Sequence, residues 1–147
     1  MDLKFFGEIQ GLNDGISILS SRLGFNVSDN GLPVEVYKTD KNIEVELTKG
    51  KASIGFNQKI HFFRALGLFV EAARCGNDFK IVEEPQFTLN GPMVDCSRNS
   101  VVSVKSLKKL LTIMALMGLN LCMMYTEDTY EIEDEPYFGR YPGRDRW

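Results

Sequence analysis

Four polar residues frame the chemistry open to this chain. Asp95 and Arg98 close one short apolar run, and Glu127-Asp128 follow a second one. If both runs are parallel strands, each pair sits at a C-terminal strand end. In parallel α/β architectures functional loops gather at that edge, and in barrels of eight such units they form the active site. Four polar residues would then converge on one rim, with Arg98 bringing a planar, permanently charged fork of donors. The competing reading is a structural ion pair between Arg98 and Asp95 or Asp128, since clusters of charge often serve structure alone.

The elements that must position this rim follow from the pattern on either side of it. Met93-Val94 is extended and apolar. Ser103 is a suitable N-cap, and Lys105, Lys108, Lys109 and Thr112 fall three and four apart on one stripe of a helix otherwise filled by Val104, Leu107, Leu110, Leu111, Met114 and Leu116. Gly118 ends that helix, Leu119-Asn120 turns the chain, and Leu121 to Tyr125 reads as a strand of the kind buried on both faces of a parallel sheet. The unit is strand-helix-strand, and it leaves apolar sheet surface and open edges for further units to cover.

Asn90-Gly91-Pro92 combines turn chemistry with a fixed φ and marks a boundary. Residues 1–91 and 92–147 are therefore expected as two regions. In the first, residues 3–6 suit a strand, and Leu12, Ile16, Leu19 and Leu23 recur at helical spacing until Gly24. Three alternating runs come next (Val34, Val36; Ile43, Val45, Leu47; Ala52, Ile54, Phe56), which predict an antiparallel meander. Asn57 is a plausible N-cap for a helix over 59–75, and residues 79–82 suit a last strand before Pro85. The expected fold class is α/β: a small two-layer N-terminal unit, helices on a largely antiparallel sheet, succeeded by one β-α-β unit.

Composition narrows the partners. With 147 residues, 44% apolar and 25% charged, the chain has globular composition, and its net charge of −3 carries no basic footprint for nucleic acid. Cys75, Cys96 and Cys122 are odd in number and widely spaced, which fits small buried hydrophobes in a reducing compartment. The first residues lack a basic n-region and an h-region, so the cytoplasm is expected. The apolar stretch 110–125 contains Thr112, Gly118 and Asn120 and falls short of the ~20 residues a bilayer requires, so no membrane is expected. The six carboxylates between Glu127 and Glu135 lack the glycine-centred spacing of a calcium loop and read as a solvated acidic segment. His61 stands in an apolar helix with no ligand at metal spacing and reads as structural. Neither a metal nor a cofactor is expected. Tyr125, Tyr130, Tyr137, Phe138 and Tyr141 suit either local packing or stacking on a sugar.

The order of motifs is specific enough to carry a resemblance. Met93 to Asn99 (MVDCSRN), the helix VKSLKKLL, Ala115 to Asn120 (ALMGLN), Tyr125 to Tyr130 (YTEDTY) and Glu135 to Gly139 (EPYFG) resemble the start of the catalytic barrel in glycoside hydrolase family 20, the β-N-acetylhexosaminidases. The likeness is to the bacterial branch with a short N-terminal domain. It is dense over about 50 residues, while residues 1–90 resemble the family's non-catalytic α/β domain in element order and in the helix from His61 to Leu66.

The resemblance implies the first β-α-β unit of an incomplete (β/α)8 barrel over 92–147. It also implies a retaining exo-glycosidase that removes terminal N-acetylhexosamine, with the substrate's own acetamido oxygen as nucleophile in place of the usual second carboxylate. In the family an Asp-Glu pair after the fourth strand orients the acetamido group and supplies the general acid. No catalytic residue of that kind is expected in this truncated chain. Arg98 inherits a substrate-binding role toward hydroxyls of the terminal sugar, with Asp95, Glu127 and Asp128 in support. The expected function is a hexosaminidase-like protein inactive alone. The alternative is a non-catalytic module that binds an amino sugar or a protein, including self-association through an exposed sheet edge at Leu121 to Tyr125.

Overall fold

The structure, a computed structural model, describes residues 1–97 and 101–126. Its first strand, β1 (Asp2–Gly7), leads to helix α1 (Asn13–Leu23), which stops at Gly24 in the left-handed region with φ 64°. Next come β2 (Asn26–Val27), β3 (Leu32–Lys38), β4 (Ile43–Thr48), β5 (Lys51–Phe56), helix α2 (Lys59–Ala73) and β6 (Phe79–Glu83). A short strand β7 (Met93–Asp95), helix α3 (Val104–Met117) and strand β8 (Met123–Tyr125) complete the described elements.

The first six strands form one sheet in the order β2-β1-β3-β5-β4-β6. β1 pairs in parallel with β2 and β3, β3 pairs in parallel with β5, and only β4 runs antiparallel to its neighbours β5 and β6. The expectation of a meander and of a largely antiparallel sheet is therefore corrected: the sheet is mixed, and β5 lies between β3 and β4. Connection lengths allow this order. Lys49-Gly50 is a two-residue turn with both φ values positive, 49° and 78°, the conformation that closes a tight hairpin between β4 and β5. The link from β3 to β4 has four residues, and at roughly 3.3 Å per residue it can step over one intervening strand at about 4.8 Å spacing.

Alternation along the strands makes the sheet one-sided. Leu3, Val34, Val36, Ile43, Val45, Ala52, Ile54 and Phe56 are buried beneath the helices, while Lys4, Glu35 and Lys80 face outward. On the outward face Tyr37 packs over Gly55, where a Cβ would meet its ring at 2.8 Å. Burial and then its hydrogen bond to Glu44, 2.8 Å, push the Tyr37 phenol up to about 12.

α2 supplies most of the cover: Phe62, Ala65, Leu66, Phe69 and Val70 are fully buried. Phe62 meets Phe56 and Phe63 with ring centroids 5.5 Å apart and Phe5 at 6.4 Å, all edge to face. The N-cap lies one residue later than expected. Gln58, not Asn57, caps the helix, and the His61 ring returns Nδ1 to the Gln58 backbone N–H at 3.4 Å to complete a capping box.

Two further expectations change. The cysteines are not buried: all three are free thiols, with Cys75 exposed and Cys96 and Cys122 half-buried. β8 is not a strand covered on both faces but three exposed residues, with β7 as its one paired neighbour among the described residues. Among the described residues no helix is long and apolar enough to cross a membrane.

The cap at His61 makes stability pH-dependent. Burial lowers the pKa of its imidazole from the ordinary 6.5, and only the neutral ring can accept the Gln58 N–H. The unfolded chain thus binds the proton first, so this contribution is whole above about 6.5 and is lost as pH falls through the lowered folded value. His61 is the chain's one histidine, so just below 6.5, before the carboxylate range where Glu46 with its lowered pKa also contributes, the slope reads the imidazole. The urea unfolding midpoint should fall as pH drops below 6.5, and His61→Gln, which preserves a capping acceptor, should flatten that slope. An unchanged slope in the variant would remove His61 as the cause.

Candidate functional site

The rim predicted from sequence rests on how β7 and β8 meet. They pair in parallel with Met93 opposite Met123, Val94 opposite Met124 and Asp95 opposite Tyr125, and α3 is the crossover between them. Asp95 therefore lies at the C-terminal edge of the pair. Beyond it the Cys96 N–H donates to the Tyr125 carbonyl at 2.7 Å, extending the pairing by one step. Oδ1 of Asp95 accepts both the Ser97 N–H, 2.9 Å, and the Ser97 hydroxyl, 2.7 Å. The carboxylate thereby turns the chain as it leaves β7.

Arg98, Glu127 and Asp128 lie outside the described residues, as do the acidic segment, Tyr130, Tyr137, Phe138 and Tyr141. Of the four rim residues the structure places Asp95 alone, together with Tyr125 at its register position.

The local sequence explains why the unit forms. Ser103 caps α3, its hydroxyl accepting from the Ser106 N–H at 3.2 Å, and Gly118 ends the helix at φ 74°. Both termini fall where the sequence places them. Among the residues of α3 only Met114 is buried; Val104, Leu111 and Met117 are exposed.

Two tethers that the sequence did not single out fix this unit, one to the six-stranded layer and one within its own entry segments. Arg64 of α2 grips Glu83 with both arms, Nε to Oε2 at 3.0 Å and Nη2 to Oε1 at 2.8 Å, and its Nη1 reaches the Leu116 carbonyl at 3.4 Å. One guanidinium thus joins α2, β6 and the end of α3, and the Glu83 hydrogen bond raises its already high pKa. Beside it Leu116 packs on Gly67, where a Cβ would sit 3.2 Å from its methyl. The second tether is Asn120. Its amide donates to the Thr88 carbonyl at 2.8 Å and accepts the Asn90 N–H at 2.9 Å, while its own N–H donates to the Asn90 carbonyl at 3.0 Å. The chain before β7 is thereby zipped to the chain before β8, and Gly91 is required because a Cβ there would collide with the Leu121 carbonyl. The available signal was polarity out of place: Asn120 interrupts an apolar run and Arg64 an aromatic helix.

No protein-family model and no curated protein matches the chain. Solved structures do. A GH20 exo-β-N-acetylglucosaminidase from Vibrio harveyi, in complex with N-acetylglucosamine, superposes with a TM-score of 0.62 at 14% identity, over 84% of this chain and 21% of that one. The β-N-acetylhexosaminidase of Bacteroides fragilis gives 0.62 at 13% identity, over 84% and 28%. A GH138 enzyme targeting pectin rhamnogalacturonan II gives 0.60 at 9% identity, over 92% and 20%. The resemblance to GH20 β-N-acetylhexosaminidases drawn from the motifs thus holds at the level of the fold. The chain spans between a fifth and three tenths of the length of these structures.

The Asn120 tether has a measurable consequence. Asn120→Ala removes two side-chain hydrogen bonds of about 1 kcal/mol each and should cost roughly 1–2 kcal/mol. Amide exchange at Asn90, Leu121 and Met123 should accelerate while α2 stays protected. Unchanged exchange at those three amides would mean that Asn120 holds nothing.

Proposed function

We propose that this chain is the N-terminal part of a β-N-acetylhexosaminidase-like protein of the GH20 type. In this reading residues 1–91 are the non-catalytic α/β domain and residues 92–147 begin a (β/α)8 catalytic domain. The observation that carries it is the parallel pairing of β7 with β8 across α3, which sets Asp95 at a strand's C-terminal edge in a fold shared with GH20 enzymes.

Arg98 then contacts hydroxyls of a terminal N-acetylhexosamine, and Asp95 fixes the turn that aims it through its two bonds to Ser97. Glu127 and Asp128 support the same rim from the end of β8. The chemistry of exo-hydrolysis, with the substrate's acetamido oxygen as nucleophile, requires an Asp-Glu pair that the family carries after its fourth strand. These 147 residues contain the scaffold and the sugar contact, and by themselves they do not hydrolyse.

A second reading, an interaction module, is favoured by one observation. Met93, Met123 and Met124 are exposed on a two-stranded sheet, a form that is marginal without further strands or cover. Self-association through β8 would supply that cover.

Titration of the chain with N-acetylglucosamine, followed by ¹H–¹⁵N correlation spectra, separates these. Saturable shifts at Asp95 to Ser97 with millimolar affinity are expected, weakened about tenfold or more in Arg98→Ala, the cost of losing a charged hydrogen-bond donor. A chromogenic N-acetylglucosaminide should not be turned over. Absence of shifts at the rim, together with an oligomer abolished by Met123→Lys, would replace the sugar reading with the interaction one.

A further inference from the structure

A cavity of about 360 Å³ opens where the six-stranded layer meets the β7-α3-β8 unit, within the ~300–1,000 Å³ range of small-molecule pockets. Its walls come from the start of α2 (His61, Arg64), from β6 and the chain after it (Glu83, Glu84, Gln86, Phe87, Asn90), and from the end of α3. Junctions of this kind are favoured places for ligand sites. The rim at Asp95 contributes nothing to it.

The polar groups of this cavity are unevenly satisfied. His61 is only 8% exposed and spends Nδ1 on the Gln58 N–H, so its proton belongs on Nε2, which has no partner among the described residues. Nε2 is not sealed from solvent, since the unpartnered side-chain atom closed off from water among the described residues is Asn42 Oδ1, so water or a ligand can meet this donor. Arg64 spends three of its five N–H groups on Glu83 and Leu116 and keeps two. Asn90 bonds to Asn120 and Leu121 through its backbone alone, which leaves its side-chain amide with both donor and acceptor capacity. Donors and acceptors therefore remain on several sides of one cavity.

Charge limits what can fill it. Among the lining residues Arg64 is paired with Glu83, His61 is neutral above its lowered pKa, and the second carboxylate, Glu84, is offset from outside the lining by Lys41 at 3.2 Å, so the cavity taken together with Lys41 carries no net charge to attract an ion. At the mouth Phe87 is 70% exposed and Met117 60%, offering apolar surface beside the polar groups. A neutral molecule with several hydroxyls and one apolar face matches this combination. We infer that the cavity bounded by His61, Arg64, Phe87 and Asn90 is a second binding site, for a neutral monosaccharide-sized polyol. The inference does not depend on the hexosaminidase reading of the rim.

The test uses the whole chain and three probes: methyl β-glucoside as the neutral ligand, glucuronate as its anion and glucosamine as its cation. Methyl β-glucoside should produce saturable millimolar shifts at Phe87, Asn90 and the His61 ring, and both charged probes should bind more weakly. Phe87→Ala and Asn90→Ala remove only a solvent-facing ring and an unbonded amide, so a dispersed spectrum is expected for each. Each should weaken methyl β-glucoside at least about fivefold, the effect of truncating a contributing contact residue. The proposal is overturned if these signals do not saturate, if either variant binds as well as the parent, or if a charged probe equals the neutral one. Shifts confined to Asp95 to Ser97 would uphold the rim and overturn this site; shifts confined to Phe87, Asn90 and His61 would do the reverse.

Discussion

Everything beyond the six-stranded sheet depends on α2 being shared between two layers. Phe62, Leu66 and Phe69 of this helix are driven onto the sheet by burial of their rings and branched chains, at roughly 25 cal/mol per Å² of apolar surface removed from water. Other positions of the helix, Gly67 and Arg64, meet α3. Gly67 lets Leu116 approach closely, and Arg64 supplies direction that apolar contact lacks. Without α2 fixed from below, neither the Arg64 grip on Glu83 nor the seat for Leu116 would exist.

The mixed sheet follows from the same economy of cover. A purely antiparallel order would place β4 beside β3; here the tight Lys49-Gly50 turn pairs β4 with β5, and β5 takes the parallel place beside β3. Three neighbouring parallel pairings put β2, β1, β3 and β5 under α1 and α2 on one face. The other face is mainly polar, with Phe6 and Val82 exposed on it, and where it lacks a side chain, at Gly55, the Tyr37 ring fills the gap.

Local decisions were the legible part of the sequence. Strand alternation at Val34 and Val36 or Ile43 and Val45, the caps at Ser103, Gly24 and Gly118, and the parallel β7-α3-β8 unit all derive from periodicity and terminus chemistry within a few residues. Sheet order was not legible, because β3 and β5 pair across an intervening strand and alternation says which face a residue takes but not which strand lies beside it. The part His61 plays at the Gln58 cap needs three-dimensional geometry to see. Asp95 was found as a strand-end carboxylate, whereas Arg64 and Asn120 were missed because their partners lie far away in sequence: Glu83 and Leu116 for one, Thr88 and Asn90 for the other.

The geometry of the Asp95 rim is consequently inherited rather than self-made. Two paired strands of three residues, with Met93 and Met123 at least half exposed, bury too little to hold their own register. Register is instead imposed from behind, where the Asn90 carbonyl takes the N–H groups of Asn120 and Leu121 and the Pro92 carbonyl takes that of Met123 before the strands begin. A one-residue slip would carry every side chain of β8 to the opposite face and would also break each of these bonds. Gly91 permits this close register, since only a residue without a side chain lets the two segments come this near. The position of Asp95 is thus set by Asn120 and Gly91, on the chain entering the strands and not at the edge where a ligand would sit.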